Sequence, residues 1–172
     1  MNQQINSYLV KPLFAYNVYP IACNMISIPL LDYPISTKMV HGKAQVFDPI
    51  RRIWIFLTPE EHVRQCLIRY LTEALNYPSA LMAVEKEVKL GNKRKRFDLV
   101  VYNRHTHTPW LLVECKAPEI TLTNATLQQL LHYQNQLQCR YWMVSNGHQH
   151  FCADAADIHT IKWLKELPAY DL

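Results

Sequence analysis

The chain has 172 residues, of which 49% are hydrophobic and 19% are charged. This length and composition fit one globular domain with a buried core and exclude an intrinsically disordered chain. The formal net charge of +4 is compatible with a nucleic-acid partner but is too small to indicate one alone. No apolar stretch reaches the roughly 18 residues that a membrane-spanning helix needs, so a membrane partner is not expected.

Five cysteines are spread through the chain without a C-x-x-C pair. Reduced thiols in a cytoplasmic protein are the simplest account of an odd, scattered set. The N-terminal region lacks a basic segment followed by a clean apolar block, so a secretion signal is not expected.

Residues 1–27 differ from the remainder because they hold no acidic residue, one basic residue and no consistent periodicity. We read them as an N-terminal extension and residues 28–172 as a single domain. Two readings of the extension stay open: extra residues translated ahead of a native start at Met25, or an ordered arm packed on the domain. Chain ends are often poorly ordered.

The first elements predicted along the domain are a hairpin and a helix. Apolar pieces within residues 46–57 pair around a turn. Thr58 then caps a helix, with Pro59 in its first turn and Glu61 completing a capping box. Apolar residues recur at helical spacing as far as Leu75.

Four further strands and a second helix complete the predicted core. Apolar residues at strand spacing predict strands over residues 81–90, 97–102, 110–115 and 141–144. A helix over 124–138 separates the last two, and residues 151–172 add a short strand and a tail. The first three strands form an antiparallel meander, and the right-handed crossover places the fourth parallel to the third. The predicted fold class is α/β, with a four-stranded mixed sheet flanked by helices.

The run from Trp110 to Pro118 is the most informative part of the chain. It is an apolar strand that ends with Glu114 and Lys116, two residues apart and therefore on one face. Charges at the end of a buried strand are costly unless they are paired or serve a function. One such function is holding a divalent metal and a water beside a phosphodiester. The alternative is a surface salt bridge, which contributes at most about 1 kcal/mol.

Asp98 lies at the start of the preceding strand, 16 residues before Glu114. In a meander it can sit beside the end of the strand that carries Glu114, where two carboxylates and the backbone carbonyl of Cys115 converge. Such oxygen donors suit Mg²⁺, with Mn²⁺ as a substitute. The ion would activate a water, and Lys116 would orient that water or neutralise charge on the phosphate. The side chain of Cys115 points to the opposite face and is read as a core residue.

Two further groups of side chains are candidates for contacts with a nucleic acid. Gln129 and Tyr133 share one face of the second helix, where they could hold a base or phosphate or position Lys116. The alternative is a partly exposed helix face. A basic run follows the turn at 91–92 and leads into Asp98; it consists of Lys93, Arg94, Lys95 and Arg96. It could contact phosphates without reading sequence, or it is a solvated turn.

The set of Asp98, Glu114–Lys116 and the Gln129–Tyr133 pair resembles the PD-(D/E)XK nuclease superfamily. More narrowly, the stretch from Pro29 to Phe151 resembles the N-terminal nuclease domain of type I restriction enzyme R subunits. The motifs that carry this narrower resemblance are Thr58–Gln65, Val84–Val88, Lys95–Asp98 and Leu112–Pro118. Phe97 stands where the superfamily pattern has proline, a position that is loose among its members.

The resemblance implies a restriction-endonuclease-like αβββαβ core and Mg²⁺-dependent hydrolysis of DNA phosphodiester bonds. By position, Asp98 and Glu114 match the metal ligands and Lys116 matches the catalytic lysine. Gln129 and Tyr133 match the accessory motif.

The superfamily often adds a glutamate from its first helix, and Glu60 and Glu61 compete for that role. We favour Glu60, because the capping box already accounts for Glu61. Type I R subunits also carry helicase motors, but these 172 residues hold no Gly-rich phosphate loop, so a stand-alone nuclease domain is expected. DNA is the implied partner, while a homodimer and restriction–modification or helicase partner subunits stay open.

Two other functions stay open at this point. The first is a non-cleaving nucleic-acid-binding or accessory module on the same scaffold, which would use the carboxylates structurally. The second is a protein-interaction or oligomeric domain whose interface is formed by aromatic residues of the N-terminal region.

Overall fold

The computed structural model describes residues 25–90, 93–127, 139–157 and 160–170. A small antiparallel sheet comes first, in the order β1 (Thr37–Val40), β2 (Lys43–Asp48) and β3 (Ile53–Phe56). The predicted hairpin within residues 46–57 is confirmed, because β2 pairs with β3. Its turn is closed by Asp48, whose Oδ1 accepts hydrogen bonds from the backbone N–H groups of Ile50 and Arg51.

A second sheet of six strands forms the body of the domain. Its strands, in spatial order, are β4 (Met82–Leu90), β5 (Lys93–Tyr102), β6 (Pro109–Cys115), β7 (Tyr141–Ser145), β8 (His150–Asp157) and β9 (Thr160–Trp163). The antiparallel meander of β4 to β6 and the parallel pairing of β6 with β7 are confirmed.

The prediction of a four-stranded sheet was wrong, because β8 and β9 extend the sheet beyond β7. Most of β8 is buried. A buried strand must pair its backbone N–H and C=O groups, so β8 pairs with β7 and β9 pairs with β8. β5 also begins four residues earlier than predicted. The basic run at its start is therefore strand, paired with β4, and not a turn.

The helix α1 (Pro59–Arg69) begins as predicted, because Thr58 Oγ1 accepts a hydrogen bond from the backbone N–H of Glu61 at 3.1 Å. It continues into a single π-helical turn over Tyr70–Ala74. Of the second predicted helix, residues 124–127 are helical and residues 128–138 lie outside the described part.

Hydrophobic residues cover both faces of the large sheet. On the side of α1, Leu67 packs in one cluster with Leu99 and Val113. On the other side, Leu112 packs with Trp142. Burial on both faces explains why β6 and β7 are almost continuously apolar.

The core extends into residues that the sequence assigned to the extension. Ile26 is buried, and its N–H donates to the carbonyl of His150 at 2.8 Å. The cysteines of the described part, Cys66, Cys115, Cys139 and Cys152, are buried and free, as expected for reduced thiols. No helix among the described residues is long and apolar enough to cross a membrane.

A substitution at Gly147, in the turn between β7 and β8, tests how tightly this turn packs against α1. Its φ of +89° is strained for other residues, and an added Cβ would lie 2.8 Å from Leu31 Cδ2 and 3.1 Å from Val63 Cγ2. Gly42 has a similar φ of +74° but open space around it. We expect Gly147→Ala to lower the free energy of unfolding in urea by more than Gly42→Ala, which should cost about 1–2 kcal/mol. Equal losses would mean that the backbone conformation alone matters at both turns.

Candidate functional site

The site lies where β5 and β6 run side by side. Leu99 pairs with Val113, so Asp98 and Glu114 occupy the next positions along the two strands. The backbone N–H of Cys115 donates to Asp98 Oδ2 at 2.7 Å, which fixes this carboxylate against the end of β6. The antiparallel meander therefore brings Asp98 beside Glu114.

Glu114 carries its carboxylate between two lysines. Lys116 Nζ donates to Glu114 Oε1 at 3.0 Å, as expected for residues two apart in a strand. Lys95 Nζ lies 3.4 Å from Glu114 Oε2. That oxygen is buried and makes no hydrogen bond within the described part of the chain.

The strand β5 is irregular at Asp98. Phe97 and Leu99 are two residues apart, yet they pack in the clusters on opposite faces of the sheet. Across from Asp98, between the pairs Val84–Leu99 and Lys86–Phe97, Glu85 has a φ of +51°. A left-handed conformation is costly for a residue with a Cβ and is found where surrounding contacts hold it, often at functional sites. Beside this irregularity, Asp98 contacts Arg64 of α1 and Lys95 lies against Glu114.

Arg64 of α1 is the side chain that reasoning from the sequence missed. Only 4% of it is exposed. Its Nη2 donates to Asp98 Oδ1 at 2.9 Å, and its Nη1 donates to Glu61 Oε2 at 2.6 Å. The available signal was its spacing: Arg64 follows Glu60 by four residues and Glu61 by three, on one face of the helix.

Of the two candidate glutamates of α1, Glu61 has partners other than those expected. The carboxylate of Glu61 does not serve the capping box, because it accepts hydrogen bonds from Arg64 and from Gln65 Nε2. Glu60 remains half-exposed, with its Oε1 3.4 Å from Arg64 Nη2. Burial and then the nearby charge of Asp98 raise the pKa of Glu60, which puts it within electrostatic reach of the site.

A second arginine connects the small sheet to this network. Arg51 Nε donates to the buried Asp48 at 2.7 Å, and its Nη1 donates to Glu85 Oε2 at 2.7 Å. Its Nη2 lies 3.8 Å from Glu61 Oε1. The turn after β2 is thereby fastened to both α1 and β4.

The electrostatic environment differs between Asp98 and Lys116. Burial raises the pKa of Asp98, and the Cys115 N–H and Arg64 offset this only in part. Burial alone would lower the pKa of Lys116, but Glu114 outweighs it and the net shift is upward. Lys116 is therefore a cation at neutral pH, suited to stabilise negative charge and unsuited to remove a proton.

The remaining predicted residues are not all brought to the site. Of the basic run, Lys95 faces Glu114, whereas Arg94 and Arg96 are mostly exposed and lie near Glu87 and Glu85. Gln129 and Tyr133 lie outside the described residues, as does the side chain of Lys93.

The donor set fits a hard divalent cation. Mg²⁺ is commonly held through one or two carboxylates with waters completing its shell. Asp98 and Glu114 supply such a pair, and the buried Glu114 Oε2 has the Lys95 ammonium 3.4 Å away but no hydrogen bond among the described residues. Within the described residues, no three His, Cys, Asp or Glu side chains are grouped to hold an ion, so a site of the zinc type is not formed there.

The fold and the site define a mixed α/β domain that presents two acids and a lysine where β5 runs beside the end of β6. The family model for the type I restriction enzyme R protein N terminus (HSDR_N) matches residues 59–168, which is close to two thirds of the chain. The chain belongs to this family.

Among solved structures, the chain is similar to a fragment of an HsdR subunit of a type I restriction enzyme from Vibrio vulnificus YJ016. The match has 16% identity and a TM-score of 0.43, and covers 59% of this chain. This chain spans only 22% of that one. The comparison with curated proteins found no match.

The buried Arg64 is expected to be essential for stability. Arg64→Met leaves Glu61 and Asp98 without their shared cation, and breaking a buried ion pair in this way costs about 3–5 kcal/mol. Arg69→Met on the same helix removes an exposed pair with Glu73 and should cost less than about 1 kcal/mol. Urea unfolding of both variants measures the difference, and equal losses would show that Arg64 is not the central cation.

The raised pKa of Asp98 predicts a pH-dependent cost. A carboxyl whose pKa is higher in the folded state stabilises the fold below its unfolded pKa, and this contribution is lost as the pH rises through the folded pKa. Asp98→Asn should therefore be at least as stable as wild type at neutral pH, with the difference shrinking on acidification. Denaturation at several pH values checks this, with the exposed Asp32→Asn as control. An Asn variant that is weakest at neutral pH would mean that the Arg64 pair dominates.

Proposed function

We propose that this protein is a metal-dependent nuclease that hydrolyses DNA phosphodiester bonds. The observation that carries the proposal is the convergence of Asp98, held by the Cys115 N–H at 2.7 Å, with the Glu114–Lys116 pair. Membership of the type I restriction enzyme R protein N-terminal family supports the same conclusion.

In this proposal Asp98, Glu114 and the backbone carbonyl of Cys115 hold Mg²⁺, with Mn²⁺ as a substitute. Mg²⁺, when bound, supplies Lewis-acid polarisation of a phosphoryl oxygen and a water of lowered pKa. The chain's own part is to hold the two carboxylates in place. Cys115 and Arg64 hold Asp98 through their hydrogen bonds to it, and Lys116 holds Glu114.

Lys116 supplies positive charge where negative charge develops on the phosphate. Its raised pKa keeps it protonated, so it donates hydrogen bonds rather than accepting a proton. A preorganised donor of this kind is typically worth about 10²- to 10³-fold in rate. Lys95, beside Glu114, is placed to add a phosphate contact, whereas the exposed Arg94 and Arg96 would contact the backbone of DNA further out.

Glu60 is the acid of α1 that we assign to the site, since Glu61 is taken up by Arg64 and Gln65. Its carboxylate accepts a hydrogen bond from Arg64 Nη2 at 3.4 Å but stays half-exposed, so a substrate has access to it. The roles of Gln129 and Tyr133 as an accessory motif remain predictions.

The proposal is tested by titrating wild type, Asp98→Ala and Lys116→Ala with Mn²⁺ in a calorimeter and then incubating each with supercoiled plasmid. We expect Asp98→Ala to lose both metal binding and nicking. Lys116→Ala should keep metal binding and lose about 10²- to 10³-fold in nicking rate. Lys162→Ala, an exposed lysine on β9, is the matched control and should behave as wild type.

Unchanged nicking in both site variants would remove this mechanism, since a contaminating nuclease would explain such a result. Wild type that binds no metal and leaves plasmid intact would favour a second function, a non-cleaving accessory module in a restriction–modification assembly. A specific observation supports this alternative: each site carboxylate already has a cation beside it, Arg64 at Asp98 and Lys116 at Glu114. DNA binding that is salt-sensitive yet independent of metal would then be expected.

A further inference from the structure

One side of the small sheet carries exposed aromatic side chains that the proposed site does not use. Gln45 pairs with Lys38 on β1 and with Phe56 on β3, and Phe47 pairs with Trp54. Residues opposite each other in a sheet share a side, as do residues two apart. The side so formed, here called the aromatic face, carries Lys38, Val40, Lys43, Gln45, Phe47, Trp54 and Phe56. The opposite side buries Val46 and Asp48 completely but exposes Met39 and Ile53 near its edges.

The rings of the aromatic face are unusually accessible. Trp54 is 39% exposed and Phe56 is 59% exposed. The ring centroids of Phe47 and Trp54 lie 5.4 Å apart, so a pair of rings supports the exposed surface of the indole. Clustered exposed aromatics of this kind usually mark an interaction surface.

The charges on this face have one sign. Lys38 Nζ lies 4.2 Å from the centroid of the Trp54 ring, and Lys43 Nζ lies 5.5 Å from that of Phe56. Asp48 is the sole acidic residue of the three strands, and it lies on the buried side bound to Arg51. The aromatic face therefore pairs each exposed ring with an ammonium group and carries no carboxylate.

From this pairing we propose that the aromatic face binds single-stranded DNA. Unpaired bases stack on the accessible rings of Trp54 and Phe56, and Lys38 and Lys43 move from the rings to the flanking phosphates. Rings interleaved with cations are the general means by which proteins bind single strands without reading their sequence. A purely apolar protein partner would leave the two ammonium groups without anionic partners.

The aromatic face is close to the proposed site. Phe56 precedes Glu60 by four residues, a separation that the chain can span over at most about 14 Å. A cleft of about 500 Å³ is lined by Leu57, Pro59 and Pro118, but its wall on the small sheet is Thr37, on the side opposite the aromatic face. The link between face and site is therefore the short segment from Phe56 to Glu60, which keeps a strand stacked on Phe56 near the acid of α1.

This inference rests on the proposed function for the identity of the ligand as DNA, and it adds that the substrate carries an unpaired segment. Its test separates the two claims by measuring binding without catalysis. Fluorescence anisotropy in EDTA compares a labelled oligo-dT with a duplex of equal length, for wild type and for Trp54→Ala, Trp54→Phe and Phe56→Ala. Ile53→Ala is the matched control, because Ile53 lies on the same strand, is 47% exposed and points to the opposite side.

We expect wild type to prefer the single strand, and each alanine variant to lose affinity for it by a factor on the order of ten. Trp54→Phe retains a ring for stacking and should retain most of the affinity, which also controls for misfolding of the alanine variants. Lys38→Gln and Lys43→Gln should each reduce the slope of log affinity against log salt by about 0.7. Ile53→Ala should bind as wild type.

Equal binding by wild type and all the aromatic variants would overturn the inference, and so would a preference for duplex. Self-association that Trp54→Ala abolishes, without DNA binding at low salt, would identify a protein interface instead. If wild type nicks plasmid and Trp54→Ala binds the single strand as wild type does, the proposed function stands and single-strand binding by the aromatic face is excluded. If single-strand binding depends on the rings but wild type does not nick plasmid, single-strand binding stands and the nuclease proposal is excluded.

Discussion

The guanidinium of Arg64, buried between α1 and the large sheet, is the interaction on which the geometry of the site depends. A cation that is almost fully removed from water must be surrounded by acceptors. Its hydrogen bonds to Glu61 and Asp98 hold α1 against β5. Asp98 in turn accepts from the Cys115 N–H and so holds β5 against the end of β6. One buried charge thereby orders three elements and aims the carboxylate of Asp98.

The network around Arg64 is strongly acidic. Arg51 and Arg64 together lie within 4 Å of five carboxylates, those of Asp48, Glu60, Glu61, Glu85 and Asp98. These five acids outnumber the two arginines, so the network carries excess negative charge. Its backbone is strained at one of the acids, because Glu85 adopts a φ of +51°. An additional cation, such as the Mg²⁺ of the proposed function, would relieve this repulsion. The same excess would make double-mutant cycles strongly non-additive here.

The small sheet belongs to the same structural unit as the site, because Arg51 joins its turn to Glu85 and Glu61. A surface that binds one part of a substrate is useful to a catalytic site only if the two are held at a constant separation. The bonds of Arg51 and the short segment from Phe56 to Glu60 provide that constraint. The aromatic face and the acids are thus positioned by neighbouring parts of a single ionic network.

Much of the domain followed from local patterns. The Thr58 cap, the apolar runs of β4 to β7 and the Glu-x-Lys spacing are short-range features. Strand alternation alone puts Glu114 and Lys116 on one face. The six-stranded sheet, the irregularity at Asp98 and the burial of Arg64 depend on contacts between residues far apart in sequence, such as Arg64 with Asp98. An arginine on an amphipathic helix reads as solvent-exposed until the packing of that helix is known, and Glu61 reads as a capping residue until Arg64 is found beside it. The sequence by itself therefore determined that Glu114 and Lys116 share one face of a strand, because local spacing is enough to place them there. Only the tertiary structure decided which partners surround the buried charges of Arg64 and Asp98, because the energy of a buried charge depends on the partners that folding brings to it.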